Sequence, residues 1–150
     1  MALYYLETSA LVKLYVYEPG TERLVGLAGH AAGHRFAIFC LAQAEFRSAI
    51  RRQQRGGEIP GSEADALIES FREHLEGRFI VQPFTESLLD VALALIDGYP
   101  LKGYDAMQLA GYLMLRSISG AEEPIFVCAD KTLLSAARNE GCPVLDPNSA

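Results

Sequence analysis

The segment YYLETSALVKLYVYEPGTE, residues 4–22, begins as a short apolar strand and continues as a helix. Leu3–Leu6 predicts the strand, and Thr8 or Ser9 is placed to cap the helix, in which apolar residues recur at helical spacing. An acidic residue, Glu7, stands at the junction. A strand that passes directly into a helix is typical of an α/β arrangement.

The same alternation continues along the chain. Four more apolar runs predict strands: Arg35–Cys40, Arg78–Gln82, Ile125–Cys128 and Pro143–Leu145. Helical patterns lie between them: Thr21–Ala28, Ala42–Gln54, a helix opened by a capping box of Ser62 and Asp65, a helix from Thr85, Tyr104–Arg116 and Lys131–Asn139. We therefore predict an α/β fold with a mostly parallel central sheet. In such folds the functional site lies beyond the carboxyl ends of the strands.

Length and composition indicate one soluble domain over residues 1–150. No apolar run is long enough to span a bilayer, and the first residues lack the basic segment of a signal peptide. The three cysteines form no C-x-x-C pair, so we expect reduced thiols and a cytoplasmic protein. A net charge of −6 argues against a general nucleic-acid binder. It does not exclude a nuclease, because an acidic site carries much of that charge itself.

Four acidic residues are placed to meet at the carboxyl edge of the sheet. Glu7 follows the first strand directly, and Asp130 follows the fourth after one residue. Asp105 begins the central helix, and Glu45 lies one turn into the helix after the second strand, at the margin of its apolar stripe. Each acid taken singly has a structural explanation, either as a helix N-terminal acid or, for Glu45, as a partner of a nearby arginine.

The joint pattern predicts a bound cation. Two carboxylates about 4 Å apart repel by roughly 4 kcal/mol at an effective dielectric constant near 20. Several such pairs would rival the net stability of a domain, on the order of 5–15 kcal/mol. Ligation by oxygen alone favours Mg²⁺ or Mn²⁺, which can activate water against a phosphodiester. Thr8 and Ser9 are placed to donate hydrogen bonds to a carboxylate or a phosphate.

These segments resemble the PIN-domain family, and most closely the VapC toxins of bacterial and archaeal toxin–antitoxin modules. Residues 4–22 resemble the family's strand, acid, Thr/Ser and helix. Three further segments resemble the second, third and fourth motifs and place Glu45, Asp105 and Asp130 at the motif acids: LAQAEFRSAIRR (41–52), YPLKGYDAMQLAGYL (99–113) and FVCADKTLLSAARNEG (126–141). The match runs in order over nearly the whole chain.

The resemblance implies a three-layer α/β/α sandwich with a five-stranded parallel sheet. It also implies a Mg²⁺- or Mn²⁺-dependent endoribonuclease that forms a homodimer and is inhibited by a small antitoxin. One position departs from the family, which normally has Asp where this chain has Glu7. The extra methylene moves the carboxylate outward by about 1.5 Å. The alternative interpretation is therefore a weak or inactive PIN-like module that binds a partner without cutting RNA.

Basic residues supply candidate RNA contacts. Arg47, Arg51 and Arg55 recur at four-residue spacing, with Arg52 beside them, on the helix that carries Glu45. They form either a solvated face paired with acids or a contact for the RNA backbone or an acidic antitoxin. A second pair of candidates for phosphate contact lies next to site acids: Lys102 and Lys131.

Two further interpretations are not favoured. His30 and His34 have the spacing of a two-histidine metal site, but no acid follows the first histidine and no third ligand is near. A nucleotide-binding domain is not indicated, because the chain has neither G-x-G-x-x-G nor a P-loop.

Overall fold

The central strand of the sheet is the first one in the chain. In a computed structural model, which describes residues 1–149 apart from the side chain of His30, five strands pair in the order β3-β2-β1-β4-β5, and every pairing is parallel. The strands are β1 (Leu3–Leu6), β2 (Arg35–Phe39), β3 (Phe79–Gln82), β4 (Ile125–Val127) and β5 (Val144–Leu145). The predicted parallel sheet is confirmed.

Helices cover both faces of this sheet and make three layers. The helices are α1 (Thr8–Val12), α2 (Thr21–Ala28), α3 (Ala42–Arg55), α4 (Gly61–Gly77), α5 (Glu86–Gly98), α6 (Gly103–Ile118) and α7 (Lys131–Asn139), with a short 3-10 helix at His30–Ala32. Tyr5 packs in the core beneath α5, α6 and α7, whereas Leu6 packs in the core beneath α1 to α4. All four residues of β1 are buried because both faces of the strand are covered.

The predicted capping box at the start of α4 is wrong. The helix begins at Gly61, Pro60 holds the N-cap position with an extended backbone, and no side chain caps it. A capping Ser62 would need extended backbone where the chain is already helical. Asp65 instead accepts a hydrogen bond from Arg51 Nη1 of α3 at 2.8 Å. This exposed ion pair links α3 to α4 and contributes about 1 kcal/mol or less.

The parallel order brings the carboxyl ends of β1, β2 and β4 to one edge. Glu7 follows β1, and its backbone N–H donates to the carbonyl of Val127 at 3.0 Å, which continues the ladder between β1 and β4. The segment that carries Asp130 leaves β4 at the same edge. No helix within residues 1–149 is long and apolar enough to cross a membrane.

Gly111 allows α6 to approach β1 closely. A Cβ at this position would meet the hydroxyl oxygen of Tyr5 in hard contact and would lie 3.3 Å from Cδ1 of Phe39, and both aromatic side chains are fully buried.

We expect Gly111→Ala to lower the free energy of unfolding by about 1–3 kcal/mol, the usual cost of overpacking a core. Urea denaturation measures this change. Gly98→Ala in α5 is the matched control, because nothing lies within 4 Å of a Cβ there, and its stability should equal or exceed that of the wild type. Wild-type stability in Gly111→Ala would contradict the close approach.

Candidate metal centre at the carboxyl edge of the sheet

Glu7 is the N-cap residue of α1, a position that we expected Thr8 or Ser9 to hold. The strand ladder extends through Glu7, so the helix begins directly after it. Oε2 of Glu7 accepts hydrogen bonds from the backbone N–H of Ser9 at 3.0 Å, from the Ser9 hydroxyl and from the thiol of Cys128 at 3.4 Å. Glu7 is 5% exposed, so its carboxylate is buried among these donors.

Glu45 is held by two donors on one oxygen. The hydroxyl of Thr8 donates to Oε1 of Glu45 at 2.8 Å, and Nε2 of Gln108 donates to the same oxygen at 2.8 Å. Nε2 of Gln108 also donates to the Thr8 hydroxyl at 2.9 Å. Neither Arg47 nor Arg52 forms an ion pair with Glu45 among the described residues. The simple explanation of Glu45 as an arginine partner is therefore wrong.

The two aspartates lie at helix N-termini. Asp130 is the N-cap of α7, and its Oδ1 accepts from the backbone N–H of Leu133 at 2.9 Å. Asp105 lies in the first turn of α6 and is half-buried. Both therefore have the structural role that a helix N-terminal acid usually has, in addition to any role in a site.

Electrostatic coupling joins the four acids. Burial raises the pKa of Glu7, and the Glu45 carboxylate raises it further, against hydrogen bonds from Ser9 and Cys128 that lower it. Burial also raises the pKa of Asp105, with further increases from the charges of Asp130 and Glu45 and a decrease from Lys102. A negative charge on one acid therefore opposes ionisation of its neighbours.

The chemistry of these donors fits a hard divalent cation, because every donor is a carboxylate oxygen. Within residues 1–149, however, no three His, Cys, Asp or Glu side chains lie in an arrangement that could hold a metal ion as they stand. The role of the four acids as metal ligands stays a prediction.

A groove of about 860 Å³ opens beside Glu7 and Glu45. Arg52, the buried Lys13 and the exposed Tyr104 also line it, so positive charge and an aromatic ring border the acids.

The remaining predicted basic contacts are distributed differently. Arg51 forms an ion pair with Asp65, as expected for a solvated face paired with acids. Arg47 and Arg55 are exposed on α3. Lys102 acts electrostatically on Asp105, and Lys131 is exposed next to Asp130.

Sequence reasoning missed Gln108 and Lys13. A signal for Gln108 was available, because it is a lone amide three residues after Asp105 in an otherwise apolar helix. Lys13 gave no comparable signal. Nδ1 of His34 accepts from the backbone N–H of Ala2 at 3.0 Å, and the predicted partner side chain, His30, lies outside the described residues.

The fold and the acids at its strand ends define a class of protein, a three-layer α/β sandwich with an acidic edge. The particular family follows from sequence, because the model of the PIN domain matches residues 4–111. The chain belongs to the PIN-domain family. A comparison with curated proteins found no match.

Solved structures share the fold at low sequence identity. PAE2754 from Pyrobaculum aerophilum is 21% identical with a TM-score of 0.62, over 95% of this chain and 83% of that one. VapBC2 from Rickettsia felis, bound to a DNA fragment from its promoter, is 13% identical with a TM-score of 0.63, over 95% and 97% of the two chains. FitAcB from Neisseria gonorrhoeae is 16% identical with a TM-score of 0.62, over 98% of each chain.

We expect Glu7→Gln to raise the melting temperature of the metal-free protein by a few degrees at neutral pH. The folded-state pKa of Glu7 lies above its unfolded value, so Glu7 opposes folding increasingly as pH rises through these two values. Differential scanning fluorimetry in EDTA measures the gain, which should disappear at a pH below the ordinary pKa of glutamate.

Glu73→Gln on the exposed face of α4 is the matched control and should not change the melting temperature. A Glu7→Gln variant that melts below the wild type in EDTA at neutral pH would contradict the electrostatic assignment.

Proposed function

We propose that this chain is a Mg²⁺- or Mn²⁺-dependent endoribonuclease, the toxin of a toxin–antitoxin module, built as one PIN domain over residues 1–150 and acting in the cytoplasm. The observation that carries the proposal is the position of the motif acids at one edge of the sheet, where Glu7 and Glu45 line one groove and Asp105 and Asp130 lie at helix N-termini. Membership of the PIN-domain family supports it, because PIN domains are generally nucleases and typically use divalent metals.

Each site residue has a role in this proposal. The four acids, Glu7, Glu45, Asp105 and Asp130, would hold the cation. When bound, it would supply the positive charge that activates a water molecule and stabilises the leaving oxygen of a phosphodiester. Thr8 and Ser9 orient the first two carboxylates. Arg52 in the groove and Lys102 beside Asp105 would contact RNA phosphates, with Arg47 and Lys131 as outer contacts.

We expect Asp105→Asn to reduce metal-dependent RNA cleavage by on the order of a hundredfold or more. Loss of a ligand removes several kcal/mol of transition-state stabilisation, and each 1.4 kcal/mol is about tenfold in rate. Cleavage of a fluorescent structured RNA with Mg²⁺, Mn²⁺ or EDTA measures the effect.

Glu73→Gln on the exposed face of α4 is the matched control and should cleave like the wild type. Absence of cleavage of any RNA by antitoxin-free wild type with either metal would remove the enzyme proposal. Full activity in Asp105→Asn would remove Asp105 from the site.

The second candidate is a PIN-like module that binds without cutting. The observation that favours it is the hydrogen bonding of Glu7 to Ser9 and Cys128, which directs one carboxylate oxygen away from a shared cation. Glu7→Asp separates the two candidates. A gain in Mn²⁺ affinity and cleavage would identify a geometric defect in the wild-type site, and wild-type metal affinity without cleavage in both proteins would favour the binding module.

We also propose an antitoxin as the protein partner. The resemblance to VapC toxins supports this assignment, and the VapBC2 structure from Rickettsia felis is of a complex bound to promoter DNA. The groove beside Glu7 offers Arg52 to an acidic or carboxyl-terminal segment of such a partner, whereas the buried Lys13 pairs with Glu18 at 3.4 Å. Co-purification with the product of a neighbouring short reading frame, together with loss of RNA cleavage on binding, tests the assignment.

A homodimer is the proposed assembly, and the outer face of α5 supports it. Leu89, Leu93 and Ile96 are 39%, 52% and 38% exposed and recur at helical spacing, beside the buried face formed by Leu88 and Leu95. A row of large apolar side chains on one exposed face is more typical of an interface than scattered single residues are.

We expect Leu93→Lys to shift the protein from dimer to monomer, because a buried unpaired charge at an interface costs several kcal/mol. Sedimentation velocity measures the change. Ile118→Lys, at a lone apolar residue that is 76% exposed, is the control and should leave the mass unchanged. A monomeric wild type would remove the dimer from the proposal.

A further inference from the structure

Gln108 is a fully buried amide in the central helix α6. Burying an amide without hydrogen bonds costs several kcal/mol relative to water, so a polar side chain at such a position needs fixed partners. Its partners are Thr8 and Glu45, which belong to the acidic site at the carboxyl edge of the sheet. The amide therefore serves the site rather than the apolar core around it.

The hydrogen bonds have one consistent direction. The two N–H groups on Nε2 of Gln108 donate to the Thr8 hydroxyl at 2.9 Å and to Oε1 of Glu45 at 2.8 Å. The Thr8 hydroxyl then donates its own proton to Oε1 of Glu45 at 2.8 Å. Both donors thus end on the same carboxylate oxygen, and Oε2 of Glu45 has no hydrogen-bond donor within the described part of the chain.

The backbone of Gln108 is held as firmly as its side chain. The hydroxyl of Tyr5 in β1 donates to the carbonyl oxygen of Gln108 at 2.9 Å, and the missing side chain of Gly111 leaves the space for that hydroxyl. Tyr5 is fully buried in the centre of the sheet. The position of Glu45 is therefore tied to the middle of β1 through Gln108.

We infer that Gln108 is a positioning residue that fixes Glu45 so that it offers the single oxygen Oε2 to a divalent cation. The inference rests on the metal site of the proposed function. Two donors on Oε1 hold the carboxylate plane and prevent Glu45 from using both oxygens on one ion. Partners of this kind around metal ligands typically change metal affinity by about 10–100-fold when they are removed.

The test is Mn²⁺ affinity, measured by electron paramagnetic resonance titration of the full chain, which requires no RNA cleavage. Gln108→Met preserves the side-chain volume and removes both donors, and we expect Mn²⁺ to bind about 10–100-fold more weakly. Tyr112→Phe is the matched control, because it removes one buried hydroxyl on the same helix, bonded to the carbonyl of Pro124 at 2.6 Å. It should bind Mn²⁺ like the wild type.

A double-mutant cycle separates positioning through Glu45 from a general loss of stability. In a Glu45→Gln background, Gln108→Met should cause no further loss of Mn²⁺ affinity. Additive losses in the cycle would overturn the inference, as would wild-type affinity in Gln108→Met. Should that variant fail to fold, Thr8→Val removes the bridging hydroxyl at nearly constant volume, and wild-type Mn²⁺ affinity in it would overturn the inference in the same way.

The experiments distinguish a failure of the proposed function from a failure of this inference. A wild type that binds Mn²⁺ but cleaves no RNA removes the nuclease and leaves the Gln108 inference testable in full. A wild type that binds no Mn²⁺ overturns both, and that result is visible before any variant is made.

Discussion

Burial of carboxylates at one edge of a parallel sheet is the constraint on which the candidate site depends. Because β1 lies between β2 and β4 in a parallel sheet, the residues that follow these three strands lie at the same edge. Glu7 and Asp105 both have raised pKa values, first from burial and then from neighbouring acids. Among the described residues, none of the four acids forms an ion pair with arginine or lysine. The edge therefore keeps a negative potential that a cation can use.

Neutral hydrogen-bond donors, rather than positively charged side chains, hold the carboxylates of Glu7 and Glu45. Ser9 and Cys128 donate to Glu7, while Thr8 and Gln108 donate to Glu45. Hydrogen bonds of this kind fix orientation without cancelling charge, which an arginine would do. The distinction bears on the proposed metal site, because a ligand must be both oriented and charged. Hydroxyls, a thiol and an amide meet both requirements for Glu7 and Glu45.

The sheet and the edge that carries the acids could be predicted because their signals are local. Apolar runs of strand length, such as Leu3–Leu6, alternate with helical periodicity, and parallel strands align their carboxyl ends. The cap of α1 could not be predicted in the same way. It depends on where the ladder with β4 ends, and that ladder places Glu7 rather than Thr8 at the boundary.

Partners across the fold were the other part that sequence reasoning could not supply. Helix α6 is apolar on nearly all sides, and Thr8 and Glu45, the partners of its lone buried amide Gln108, lie on other helices. Arg51 has the same spacing in the sequence as its neighbours on α3, yet it forms an ion pair with Asp65 on the next helix. Such pairings join residues that are distant in the chain, so the periodicity of apolar residues within one helix or strand does not predict them.

The order of the strands also has a consequence during translation. Glu7 and Glu45 emerge from the ribosome before β4 and Asp130. A nascent chain without β4 lacks both the fourth acid and the strand that flanks β1 on that side. This arrangement delays assembly of the complete acidic edge until β4 and Asp130 have been synthesised.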